Sequence, residues 1–328
     1  MTTLPESERA PVGSEEAAAG PESELVRRIL AKTDEAEAAL RALLAPDAGP
    51  DVAALSAAKR AERDRELVHD YRVALRRLRS ILRLVAPAFG KKKVRKLVDA
   101  IREAGALTGD LRDEEVLRET LTELKPASSG EVHLERWMFG RARRERGQRS
   151  RVVKVIRAHG DRGEGVARAL ANVRARLSRP PRRPLSDREL ATQGLASAYG
   201  RVSERARADG VAAGHKEAMH KLRIAFKQLR YTCETITGLF LPSGWEQRAT
   251  EVAARLQKHL GKLHDLDEAL LRMDRARGLD VDARQRVLSE LHKRRRKAAD
   301  KCHREIEEAC SLLAALLALP LSADLATP

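Results

Sequence analysis

The chain has 328 residues, a formal net charge of +16, 34 % charged residues and only 3 % aromatics. That length admits one large domain or two small ones, and a composition led by Ala, Leu and Arg suits helices rather than a β-rich core. Such a field attracts nucleic acid, anionic membrane or another polyanion, and charge alone does not choose among them. Three cysteines, odd in number and without CxxC spacing, exclude a disulfide framework and read as idle thiols. No basic-then-apolar leader opens the chain, and the most apolar run, Leu312–Leu321, is far short of the ~20 residues of a spanning helix. The expectation is a soluble cytoplasmic protein with no membrane partner.

Residues 1–21 mix Pro, Gly, Ser and Glu without periodicity and read as a disordered acidic tail. The first 24 residues carry −5, which leaves +21 on the remainder. Ser23 caps a first helix with Glu24 in its first turn, and residues 46–50 break it. A helix follows from about Glu66 to Val85, closed by Pro87 and Gly90. Another covers Lys91–Leu107, bends at Gly105 and Gly109, and resumes to a stop at 126–130. Glu131–His159 is a long basic helix and Val166–Leu177 a shorter one. The RPPRRP run at 179–184 cannot continue a helix and is the clearest linker. Beyond it, Ser186 and Glu189 form a capping box for a helix to about Ala208. Lys216–Phe240, Trp245–Gly278 and Asp280–Leu319 complete an all-α reading, with 321–328 as a tail.

Within HDYRVALRRLRSILR, residues 69–83, a helix places His69, Arg72, Arg76, Arg79 and Arg83 in an arc of roughly 80° on a ladder about 20 Å long. One basic edge is ordinarily a solvated face. Here the pattern returns: His69-x-x-Arg72-Val73-Ala74-x-Arg76-x-Leu78-Arg79 matches His220-x-x-Arg223-Ile224-Ala225-x-Lys227-x-Leu229-Arg230, 151 residues on. Gly109-x-x-Arg112-Asp113-x-Glu115 likewise returns as Gly261-x-x-His264-Asp265-x-Asp267, offset by 152. A solvated face needs charge but not the same His-x-x-Arg phase twice. Two similar halves, residues 22–179 and 185–320, are therefore expected, the second ladder one rung shorter because Glu234 stands where the first has Arg83.

These four segments resemble the conserved-histidine α-helical (CHAD) domain over roughly residues 22–320. The resemblance implies two pseudo-symmetric four-helix bundles, a central groove lined by basic residues, and binding of inorganic polyphosphate without catalysis or cofactor. By motif position it assigns phosphate contacts to His69, Arg72, Arg76 and Arg79, and to His220, Arg223, Lys227 and Arg230. Arg83, Arg112 and His264 extend that lining, and Asp113 and Asp265 orient neighbouring arginines. Lys227 keeps the charge of the first copy's arginine without its planar fork. Glu115 against Asp267 leaves the role of that acid open.

The residue chemistry agrees, because Arg offers bidentate donors and Lys a point charge to successive phosphate oxygens. Nucleic acid is the alternative partner, favoured by the basic run from Arg141 to Arg157 but lacking a helix-turn-helix, a zinc finger or stacking aromatics. A metal-dependent phosphohydrolase reading of His69-Asp70 and His264-Asp265 is weaker, since neither pair persists across the repeat, and no metal site is expected. The chain is thus read as a stand-alone binding module, not an enzyme, directed to polyphosphate granules.

Overall fold

The structure, a computed structural model, describes residues 23–45, 56–124, 131–161, 165–239 and 244–322. The tail expected at 1–21 and the breaks expected at 46–50 and 126–130 lie outside these residues, as does 323–328. Among the described residues there are helices and no strands. The first half comprises α1 (Glu24–Leu44), α2 (Ala57–Ile81), a 3₁₀ turn (Leu82–Val85), α3 (Ala86–Phe89), α4 (Lys91–Ala106), α5 (Gly109–Thr122), α6 (Glu131–Asp161) and α7 (Gly165–Leu177). Beyond the linker come α8 (Asp187–Ala206), α9 (Asp209–Ala212), α10 (Lys216–Ile236), α11 (Trp245–Asp274) and α12 (Val281–Ser322).

Local chemistry sets the helix starts. Ser23 is extended and its hydroxyl accepts from Val26 N, while Ser56 does the same for Lys59 N. Ser186 and Glu189 form the expected reciprocal capping box. The ladder helix starts nine residues earlier than its apolar pattern suggests, and it stops being α-helical at Ile81 rather than Val85. Pro87 has no N–H to offer Arg83 O, and Ala86 N takes that carbonyl in a tighter turn. Gly90 (φ 97) then reverses the chain, with Arg182 of the linker packed where a Cβ would point.

Packing runs in two closed circuits. α1 and α4 each pack on α2 and on α7, and α8 and α11 each pack on α10 and on α12. The circuits join where α2 meets α10 and α1 meets α10, while α5 lies on α11. Fully buried Ile29, Leu78, Leu82, Leu170, Leu195, Phe226 and Leu229 belong to one continuous core, each large side chain contributing about 2 kcal/mol by burial. A smaller core gathers Leu117, Leu121 and Trp137 against Leu266, Met273 and Leu291. Where α8 crosses the 3₁₀ turn, a Cβ at Gly194 would run into Leu84 Cδ2, so a larger residue there would require Leu84 to shift.

The linker is not slack. Arg182 N and Arg183 N both donate to Ala88 O, at 2.8 and 3.2 Å. Arg28 reaches from α1 across to Thr235 O and Thr237 O, at 2.8 and 2.6 Å. The two repeat segments are therefore held in a fixed relation, with their ladder helices side by side.

Candidate polyanion-binding site

The α2–α10 seam is clamped by Gln228, whose Nε2 donates to Ser80 O at 2.9 Å. Beside it opens a cleft of about 410 Å³. From α2, Arg72, Arg76 and Arg79 line one wall, and from α10, Arg223 and Lys227 line the other. Arg102 of α4, Arg112 of α5 and His264 of α11 close it, together with Asp113, Asp265 and Glu268. The apolar faces of the same helices explain the convergence. Leu75 and Leu78 of α2 and Leu222, Phe226 and Leu229 of α10 are buried, so Arg76, Arg79, Arg223 and Lys227, each one position on and about 100° around the helix, are turned to the cleft edge.

The electrostatics of the cleft are unlike the rest of the molecule. Elsewhere arginines meet carboxylates: Arg141 with Glu114, Arg174 with Asp34 and Glu37, Arg272 with Asp113, Arg295 with Asp267. Among the described residues, Arg72, Arg76, Arg79, Arg223 and Lys227 form no ion pair, and buried Arg76 Nε has no hydrogen-bond partner. All five are partly buried. Burial, then the neighbouring Arg112 and Arg76, bring Arg72 down to about 10. Burial, followed by Arg223, Arg76 and Arg79, brings Lys227 down to about 7. Burial likewise lowers Arg79 and Arg223 and, opposing it in sign for an acid, raises Asp265. Positive charge is held together there at a cost that a bound anion would relieve.

The sequence-assigned residues divide. Arg72, Arg76, Arg79, Arg112, Arg223, Lys227 and His264 share the cleft. His220 sits behind it, its Nδ1 3.3 Å from His264 Nδ1 with ring centroids 4.5 Å apart. One ring donates and the other accepts, an arrangement that two imidazolium ions cannot make. Burial with Arg223 beside it lowers His264 to about 4 and moves His220 the same way. His69 is exposed and does not line the cleft. Arg83, carried past the α-helix into the 3₁₀ turn, lines a different cleft. Arg230 is drawn aside, its Nε 3.2 Å from Glu234 and its guanidinium 4.8 Å from the Tyr231 ring centre.

Arg102 carries no motif. It reaches the cleft because α4 packs on α2, and no spacing rule within the sequence brings it there. The acids of the second motif take a structural part. Buried Glu115 binds Arg149 of α6 at 3.2 Å, and buried Asp267 binds Arg295 of α12 at 2.7 Å. Each fastens the motif helix to the long helix that follows it. Asp113 takes Arg272 at 2.8 Å, whereas Asp265 lies in the cleft beside Arg223 and Arg112. Cys233 and Cys302 are buried, and burial raises their thiols to about 12 and about 11, so both stay protonated.

A family model for the CHAD domain matches residues 37–274, and the chain belongs to that family. The match ends before α12, which nonetheless packs along α11 and α8 as an integral helix. Among solved structures, the chain is similar to the CHAD domain from the plant Ricinus communis, with 19 % identity, a TM-score of 0.60, and coverage of 92 % of this chain and 97 % of that one. It is also similar to PptA from Streptomyces chartreusis, with 17 % identity, a TM-score of 0.58, and coverage of 87 % and 97 %. A search among curated proteins gives no match. At these identities the structural likenesses establish the fold.

Proposed function

We propose that this chain binds inorganic polyphosphate in the α2–α10 cleft and does so without turning it over. The observation that carries the reading is the set of five partly buried cations in one cleft, none ion-paired among the described residues. A linear polyphosphate supplies closely spaced negative oxygens with no bases to place, and the cleft offers charged donors with no aromatic platform. The CHAD family is linked to polyphosphate, which supports the same choice. In this reading the protein is a binding module, and attachment to polyphosphate granules follows from its affinity.

The basic helix α6 is only in part available to the nucleic-acid alternative, which keeps exposed Arg143, Arg144, Arg146, Arg151 and Lys154. Arg141 is taken by Glu114 and lies over Trp137, Arg149 is buried against Glu115 and Glu145, and Arg157 Nη2 donates to Leu44 O. Among the described residues no three metal-ligating side chains come together, and no helix is long and apolar enough to cross a membrane.

The test is a side-by-side titration with long-chain polyphosphate, triphosphate and duplex DNA of matched charge in one buffer. Polyphosphate should bind tightest, with affinity falling steeply as salt rises. The triple change Arg72→Ala, Arg76→Ala and Arg223→Ala should weaken polyphosphate by about a hundredfold or more, with helicity by circular dichroism unchanged. Equal affinity for the DNA would reject the assignment, as would phosphate release on incubation with Mg²⁺ reject the non-catalytic part of it.

A further inference from the structure

Helix α6 has two faces. The inner one serves the fold: Leu134, Trp137 and Ile156 are buried, Arg141 binds Glu114, and Arg118 and Arg149 both bind buried Glu145. The outer one carries Arg136, Arg143, Arg144, Arg146, Arg151 and Lys154, all exposed, along about 27 Å of helix axis. Between Arg136 and Lys154 the only carboxylate in the sequence is Glu145, which is turned inward. None of the six cations forms an ion pair among the described residues. Exposed arginines elsewhere do meet acids, as Arg27 meets Glu24, Arg102 meets Asp99 and Arg255 meets Glu308.

Two further features of the outer face do nothing for the fold. Glycine weakens a helix interior, yet a Cβ at Gly140 or at Gly147 would meet nothing within 4 Å, so the packing of the described residues does not ask for either. Phe139 is 71 % exposed and stands about one turn from Arg136 and from Arg143. Around the axis, Arg144 and Arg151 lie about 60–80° to one side of Arg136 and Arg146 about 80° to the other, with both glycines between them. The face is thus a low ridge with cations on both flanks and one apolar ring.

We propose that the outer face of α6 binds duplex nucleic acid, lying along a groove with Gly140 and Gly147 at the closest approach and the flanking arginines on the phosphates of the two strands. A helix with its side chains is about 10–12 Å across and the major groove of DNA about 12 Å wide. Polyphosphate is a single row of charge with nothing for Phe139 to touch, whereas a duplex sets sugars and thymine methyl groups between its two phosphate rows. A single strand would ask for several stacking aromatics, and an anionic membrane for an apolar outer face, which α6 keeps inward. The proposal is independent of what occupies the central cleft. Because the α6 cations are solvated while those of the cleft are partly buried, the duplex should bind more weakly than polyphosphate does.

The experiment is titration of labelled duplex DNA with the full chain at several salt concentrations, followed by fluorescence anisotropy, with polyphosphate titrated in parallel. The Arg143→Gln, Arg146→Gln, Arg151→Gln variant should lose about tenfold or more in DNA affinity and keep polyphosphate affinity within about twofold. Its plot of log affinity against log salt should be shallower by about two to three for DNA. The Gly140→Leu, Gly147→Leu variant should melt no lower than the unmodified chain, since leucine favours a helix, yet bind DNA about fivefold more weakly. The central Arg72→Ala, Arg76→Ala, Arg223→Ala variant should keep its DNA affinity. No DNA binding by the unmodified chain, or DNA affinity untouched by the α6 substitutions, would overturn the proposal and leave the polyphosphate reading standing. Equal losses for DNA and polyphosphate in the α6 variant would overturn it too, as would loss of DNA in the central variant. Failure to bind polyphosphate with the α6-dependent DNA binding intact would reject the central reading alone.

Discussion

The two ladder helices carry the same motif and use it differently. α2 presents Arg72, Arg76 and Arg79 to the cleft, while its His69 stays exposed. α10 presents only Arg223 and Lys227, turns Arg230 toward Glu234 and Tyr231, and has His220 against His264. The cause lies on the neighbouring helix. His264 can share a proton with His220, but its counterpart in the first half is Arg112, held by Glu115 and Glu119 at 3.6 and 3.5 Å. Arg112 is engaged by those acids rather than by an imidazole. A repeated motif thus fixes which residues are available, and the partner across the packing interface fixes which are used.

That contrast can be broken at several points. The largest effect is on the anchors of the second motif. Arg149 is nearly fully buried between Glu115 and Glu145, so Arg149→Met should cost about 3 kcal/mol in denaturant unfolding by leaving two acids without their shared partner. Arg295 is about a quarter exposed, and Arg295→Met should cost nearer 1 kcal/mol. Equal costs would mean the two anchors are not distinguished by burial.

Lys227 comes next. With its ammonium lowered to about 7 from the ordinary 10.5, the folded protein bears the full penalty of the buried charge below about pH 7. Between there and 10.5 the unfolded chain binds more protons, so stability rises with pH. Lys227→Met should flatten that rise and lift the Tm at pH 7 by about 2 °C, while weakening polyphosphate by about tenfold. In the unmodified protein, affinity should be greater at pH 6 than at pH 8.5, because the charged amine is the binding form. A lowered Tm would show that Lys227 stabilises the free fold.

The smallest effect separates the histidines. His220→Ala should weaken polyphosphate a few-fold by releasing His264, whereas His69→Ala should stay within about twofold. Matching losses at both would restore equal roles to the two copies.

Much of this was legible in the residues. The 3.6-residue apolar period behind Leu75, Leu78, Leu222 and Leu229, the serine caps at Ser23 and Ser186, and Pro87 with Gly90 are local signals, and they mark the helices within a few residues. The 151- and 152-residue offsets mark the repeated motifs, which fall on α2 and α10 and on α5 and α11. Boundaries slipped where an ending depends on hydrogen-bond competition, as at the 3₁₀ turn that carries Arg83 away from its neighbours. Arg102 was invisible because it carries no motif of its own, and the duties of Glu115 and Asp267 because their partners lie on other helices.

By itself, then, the sequence determined an all-α chain with two phased basic helix edges, since periodicity, capping and repetition are properties of neighbours along the chain. The tertiary structure decided which rungs face one another, that burial lowers Lys227, and that Arg83 lines a cleft apart from the other rungs. Those depend on helices meeting side by side, where burial and opposed charge, rather than spacing, set what each group can do.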